Sequence, residues 1–230
     1  MTQNPFQPIF EDLPEALPVF PLTGAILLPR AQLPLNIFEP RYLSMTLDAL
    51  GKDRMIGMIQ PRQNNESNRD AKDENESDGP TPIYEIGCAG RITSFSETGD
   101  GRLFIVLSGV CRFRVGSEIE SSKPYRLVQP QWAEFKSDLE PKESVEIDLS
   151  NVKSVATNYL KNKNIEFDPD AFENVEADEL TNVLAMQLPL DVPDKQALVE
   201  ATDVTARARL LIALCEMATE SYSASPSTRH

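Results

Sequence analysis

Histidine is almost missing from this chain: of 230 residues only His230, the last one given, is a histidine. Without an internal imidazole there is no general base for a Ser-His-Asp or Cys-His arrangement, and no HExxH zinc site. Cysteine is scarce as well. Cys88, Cys111 and Cys215 are far apart and set among apolar residues, so no CxxC pair offers structural-zinc spacing. They read as buried small hydrophobes in a reducing compartment. Glycine is sparse, with ten residues against eighteen prolines. The only Gly-Lys pair, Gly51-Lys52, is followed by Asp53 and lacks the earlier glycine of a phosphate-binding loop. Gly99-Asp100-Gly101 falls within a hairpin pattern and is no dinucleotide fingerprint. Carboxylates are plentiful, but none is marked out as a catalytic pair. The expectation is a chain with no catalytic residues, no metal site and no cofactor: not an enzyme.

Long apolar runs are absent too. Nothing reaches the eighteen residues of a membrane span, and Met1-Thr2-Gln3-Asn4-Pro5-Phe6 has neither the basic nor the apolar region of a secretory signal. Basic residues are outnumbered, 22 against 36 acidic, for a formal net charge of −14. Phosphate backbones are bound by neutralising them with Lys and Arg, so this surplus argues against nucleic acid as a partner. Arg112-Phe113-Arg114 is the nearest approach to an RNA-stacking element, and it reads instead as a core Phe on a half-exposed strand. These features describe a soluble, cytoplasmic, acidic protein that does not meet a membrane.

What is present is ordinary globular composition, 40% hydrophobic and 25% charged, enough for one large domain or two small ones. The abundant proline favours a loop-rich β architecture. Leu17 to Leu22 and Leu33 to Phe38 read as strands interrupted by proline, which belongs at edges, strand starts and bulges. Pro40 opens a helix at its first turn, with Tyr42, Met45, Leu47 and Leu50 as its apolar positions. Arg54 to Ile59 is another strand. Residues 62–80 contain no Val, Ile, Leu, Phe or Tyr and read as a mobile surface loop between two strands.

Ile83 to Phe95 and Arg102 to Val110 flank Glu97-Thr98-Gly99-Asp100-Gly101, a hairpin. Leu103-Phe104-Ile105-Val106-Leu107 is apolar throughout and reads as central and buried on both faces. Arg112 to Val115 alternates, and a further strand runs from about Tyr125 to Trp132. From about Ser144 the period becomes helical, through Val145, Leu149, Val152, Ala156 and Tyr159. Helix starts are expected at Asp168-Pro169, Asp178, Asp191 and Asp203, the last leading into Val204, Leu211, Cys215 and Ala218.

Three stretches together resemble a known family. They are Leu17-Pro18-Val19-Phe20-Pro21-Leu22, Ala25-Ile26-Leu27-Leu28-Pro29, and Leu33-Pro34-Leu35-Asn36-Ile37-Phe38-Glu39-Pro40-Arg41-Tyr42. This pattern is similar to the opening of the Lon protease amino-terminal domain, found also in cereblon and in short stand-alone bacterial proteins. The similarity continues through Ile83 to Ile92 and Leu107 to Phe113, then Leu188-Pro189-Leu190 and Lys195 to Glu200. It implies an α+β fold: a PUA-like, β-barrel-like subdomain over 13–135, a small helical bundle over 140–221, and a flexible tail over 222–230.

The resemblance also implies a substrate-recognition module that binds unfolded or specific protein segments. Its ATPase and Ser-Lys protease modules are not in this sequence, which suggests an adaptor or scaffold serving a protease or chaperone on another chain. The alternative is a small-molecule or RNA-binding regulator using the PUA-like half. Glu39, Arg41 and Tyr42 are the candidate binding residues; their structural roles would be a helix-start acid and an Arg tying helix to sheet. One departure stands out: where the family often has Phe-Pro-Gly, this chain has Leu28-Pro29-Arg30, so the local turn is expected to differ.

Overall fold

The computed structural model describes residues 8–62, 81–140, 147–166, 168 and 175–224, with side chains up to residue 220. The expected surface loop beyond Arg62, Val145, the helix expected to start at Pro169 after Asp168, and the end of the expected tail lie outside the described residues.

Six strands form the sheet: β1 (Leu17–Pro21), β2 (Gln32–Ile37), β3 (Met55–Ile59), β4 (Ile86–Glu97), β5 (Leu103–Ile119) and β6 (Arg126–Gln131). Their order is β2-β5-β4-β3-β1-β6, and β6 also pairs with the far end of β5. That last pairing closes β5, β4, β3, β1 and β6 into a barrel, while β2 extends the sheet beside the first half of β5. The expected β-barrel-like half is therefore present. Pro18 and Pro21 fit inside the barrel wall because each sits where β1 has only one neighbour. Pro18 is paired only with β6 and Pro21 only with β3.

The two faces of this wall have separate cores. Leu17, Val19, Met55, Ile59, Ala89, Phe113 and Val128 fill the barrel lumen. Its other face belongs to a larger cluster that includes Ile56, Cys88, Leu107, Leu184, Leu198 and Leu211, so barrel and helices share one apolar interior. The helices are α1 (Pro40–Leu50), α2 (Leu149–Asn162), α3 (Ala177–Gln187), α4 (Val192–Glu200) and α5 (Val204–Ala224). Pro40 stands at the start of α1 as expected. The buried face of α1 is Tyr42, Met45, Thr46 and Ala49, a helical i, i+3, i+4, i+7 spacing. Leu47, expected on that face, lies five residues from Tyr42 and so points to solvent.

Asp203 caps α5 as expected, its Oδ1 accepting from the Ala206 N–H at 2.8 Å. Asp178 does not cap α3. Glu176 holds the cap position without a side-chain bond, and Asp178 lies in the first turn. α5 also runs to Ala224, into the stretch expected to be tail.

β5 differs most from expectation. It is one strand of 17 residues, and in its first half burial alternates. Leu103, Ile105 and Leu107 face the core, but Phe104 is 43% exposed, because only one face of this part of the sheet is covered by helices. In its second half, Arg112 is not half exposed but 2% exposed, a buried cation.

Arg112 is buried because its acceptors come to it from the helical half. Its Nε and Nη2 each donate to Asp138 at 2.9 Å, a forked pair, and Nη1 and Nη2 donate to the carbonyls of Val199, Ala201 and Thr202. Those carbonyls close α4, where a cation is favoured by the helix dipole. Three further polar side chains cross the same seam. Lys195 Nζ donates to the carbonyls of Gly24 and Met186, and Gln196 Nε2 donates to that of Ile86. Asn182 Nδ2 donates to the Pro29 carbonyl, and its Oδ1 accepts from Arg207. Burial and the neighbouring charge of Arg112 lower the Arg207 pKa to about 10.

The Leu28-Pro29-Arg30 departure is visible in the backbone: Arg30 adopts φ +67°, the left-handed region that favours glycine. Arg30 carries the strain of this turn, while its guanidinium donates to the Glu140 carbonyl. Arg30→Gly is expected to raise stability by up to about 1 kcal/mol, read as a higher urea midpoint. A lower midpoint would mean that the Glu140 bond outweighs the strain.

Candidate functional site: the open face and free edge beside the barrel

The sheet extension β2-β5-β4 has a helix-covered face and an open one. Directly opposed residues in antiparallel strands share a face, so the registers define three rows across the open side. These rows are Gln32–Ser108–Arg91, Pro34–Val106–Ser94 and Asn36–Phe104–Ser96. Gln32, Pro34 and Asn36 are exposed, while Leu35 and Ile37 between them are buried. The alternation of β2 is thus the sequence signal that sets this face. Phe38, 61% exposed, extends it beyond Asn36, and the Arg102 guanidinium lies 5.7 Å from its ring centroid. Arg102 is itself held by Asp100 at 2.9 Å.

The sequence-derived candidates sit at the end of β2, and they separate. Glu39 and Arg41 are surface residues paired with each other at 2.8 Å, with side chains 43% and 54% exposed. Arg41 is engaged with Glu39 and with the Tyr42 ring (4.6 Å) rather than with the sheet. Tyr42 turns inward. Its ring stacks on Phe20 with centroids 4.0 Å apart, and the residue is 6% exposed. Burial pushes its phenol pKa up, with the Arg41 charge pulling it down. Two of the three candidates are therefore accessible, at the margin of the open face. Phe38 and Phe104 carry more of its apolar area, and the exposure of Phe104 corrects the expectation that its strand is buried on both faces.

The buried thiols are enclosed. Burial raises Cys111 and Cys215 to about 12 and Cys88 well above the ordinary thiol value. Among the described residues, no group of three or more His, Cys, Asp or Glu is arranged to hold a metal ion. No described helix is long and apolar enough to cross a membrane.

Comparison with known families places the whole arrangement. The family model for the substrate-binding domain of the ATP-dependent protease La (LON) matches residues 16–216. The chain belongs to the LON substrate-binding domain family. Lon protease 2 of Myxococcus xanthus is 28% identical over 210 residues, covering 89% of this chain and 24% of that protein. Lon protease of Anaeromyxobacter dehalogenans is 26% identical over 208 residues, covering 89% and 23%. This LON domain chain thus spans about a quarter of the length of the curated relatives it matches.

Solved structures agree on the fold. A Lon N-terminal domain protein from Xanthomonas campestris superposes with a TM-score of 0.56 at 24% identity, covering 86% of this chain and 97% of that one. The N-terminal domain of Mycobacterium avium complex Lon protease gives 0.59 at 16% identity, covering 87% and 98%. In this LON domain the Lys195 to Glu200 stretch that carried the resemblance is explained by packing: Lys195 and Gln196 are seam residues.

Proposed function

We propose that this LON domain binds unfolded or extended protein segments and catalyses nothing itself, acting in the cytoplasm as an adaptor or scaffold. The observation that supports this most is the match of a substrate-binding domain model across 16–216. The open face supplies a suitable surface. Exposed Phe38 and Phe104 stand among polar residues, with Arg102 beside Phe38, and apolar side chains of an unfolded chain can be covered there. Cleavage and nucleotide hydrolysis would then belong to a partner protease or chaperone on another chain.

The test is fluorescence anisotropy with labelled casein as an unfolded ligand and a native globular protein as control. Casein is expected to bind and the folded control is not. The chain alone is expected to leave casein intact and ATP unhydrolysed. Hydrolysis that co-purifies with the chain through successive columns would sink the non-catalytic part. Failure to bind any unfolded protein would sink the rest.

A further inference from the structure

The hydrogen-bond parity of β2 decides what its edge can do. The Gly109 N–H donates to the Ala31 carbonyl at 2.8 Å, so Ala31 and Gly109 are a hydrogen-bonded pair. By the alternation of antiparallel ladders, Leu33, Leu35 and Ile37 are then bonded to β5, and the backbone groups of Gln32, Pro34 and Asn36 point away from it. Among the described residues, nothing accepts from or donates to those outward groups. Proline at the middle position leaves two outward N–H donors, Gln32 and Asn36, and three outward carbonyls. Such an edge is an incomplete ladder, ready to pair with another strand and partly blunted by Pro34.

The surroundings of this edge fix the chemistry of the strand it would accept. No carboxylate stands in the three rows of the open face, although the chain carries a formal net charge of −14. Arg91 stands in the Gln32 row and makes no ion pair among the described residues. Arg30, just ahead of β2, is exposed, and among the described residues its guanidinium donates to the neutral Glu140 carbonyl and makes no ion pair. Among the described residues, Arg30 and Arg91 thus have no carboxylate partner in an acidic protein, near exposed Phe104.

We infer that β2 is a strand-addition site for an extended acidic polypeptide segment. The segment pairs with the outward groups of Gln32, Pro34 and Asn36, leans an apolar side chain over Asn36 toward Phe104, and sets a carboxylate beside Arg30 at the start of the edge. Main-chain pairing gives affinity without regard to sequence, and alternate side chains give preference. The inference rests on the protein-binding reading above and adds to it the mode, register and charge of the bound segment.

The experiment uses the full chain and three short labelled peptides, with binding followed by anisotropy. One alternates aspartate with valine and phenylalanine. The second replaces aspartate by lysine. The third is the first with alternate backbone nitrogens methylated on the pairing edge. The acidic peptide is expected to bind, with the lysine and methylated forms each weaker by about tenfold or more. Asn36→Pro removes one outward donor without touching the ladder to β5, since edge positions with outward N–H groups tolerate proline. It should weaken the acidic peptide by about tenfold, as should Phe104→Ser, with far-ultraviolet dichroism and melting unchanged.

Arg30→Glu should reverse the preference between acidic and lysine peptides. If unfolded casein binds but is indifferent to Asn36→Pro, Phe104→Ser and backbone methylation, the edge is not the site and the broader reading stands. If neither casein nor any peptide binds, the broader reading fails. An RNA oligonucleotide displacing the acidic peptide in an Arg30-dependent way would overturn the assignment.

Discussion

Asp138→Ala is expected to lower the stability of the chain by about 3–5 kcal/mol, among the largest effects of any single polar change. Among the described residues, Asp138 is the one carboxylate paired with the buried Arg112 guanidinium, and the two side chains are only 9% and 3% exposed. Removing it leaves Arg112 charged, desolvated and close to a second buried cation, Arg207. Solvent screening is weak at this depth, so the loss is far above that of a surface pair. Arg112 also holds the carbonyls of Val199, Ala201 and Thr202. For that reason the double change Arg112→Met with Asp138→Leu should not restore full stability: it removes both charges but strands three carbonyls. Urea denaturation of the three proteins checks this. A loss below about 1 kcal/mol for Asp138→Ala would mean that water reaches the seam.

Phe113→Ala is the second large effect, expected at about 3–5 kcal/mol, because its ring is fully buried and fills the barrel lumen. Trp132 adds an edge contact to the same ring at 5.8 Å. The wall makes room for the ring at two glycines, and these two should behave differently. A Cβ on Gly57 would stand 2.8 Å from Leu17 Cδ2 and 2.9 Å from Phe113 Cζ, both side-chain atoms that can yield. A Cβ on Gly87 would stand 2.5 Å from the Met58 carbonyl oxygen, which is part of the ladder and cannot. Gly57→Ala should therefore be partly rescued by Phe113→Leu, and Gly87→Ala should not. Thermal melting of the singles and doubles measures the coupling. Equal rescue of both would refute the lumen packing described here.

Local chemistry made much of this fold legible in advance. The hairpin at Gly99–Gly101 was visible because Gly101 needs positive φ, and it has φ +80°. The start of α5 was visible because Asp203 reaches its own helix N–H groups three residues on. Arg112 was misread because its partners are 26 and 87 to 90 residues away, and nothing in Arg112-Phe113-Arg114 announces them. Phe104 was placed in the core for a similar reason. An all-apolar run looks buried on both faces unless the covering layer is known, and here helices cover only one.

The candidate site was legible in part. Glu39 and Arg41 do lie at the surface beside it, but Tyr42 packs on Phe20, a partner 22 residues earlier. The free edge of β2 needed the sheet order. Its local signs were nonetheless present: a proline amid a strand, flanked by Gln32 and Asn36 at every second position.

The closure of the barrel has a consequence for the chain during its synthesis. β1 is completed by β6 through Leu17↔Val128 and its neighbours, so the first strand must wait for the last one described. At typical translation rates of about 5–20 residues per second, the β1 edge stays unpaired on that side for roughly 5–20 s. The Arg112 seam forms later still, once the Thr202 carbonyl has been made. A nascent chain halted before β6 should be cut readily by proteases near β1, whereas one released whole should resist. A domain read here as a receiver of extended segments thus begins as one itself, dependent for seconds on whatever shields an open strand.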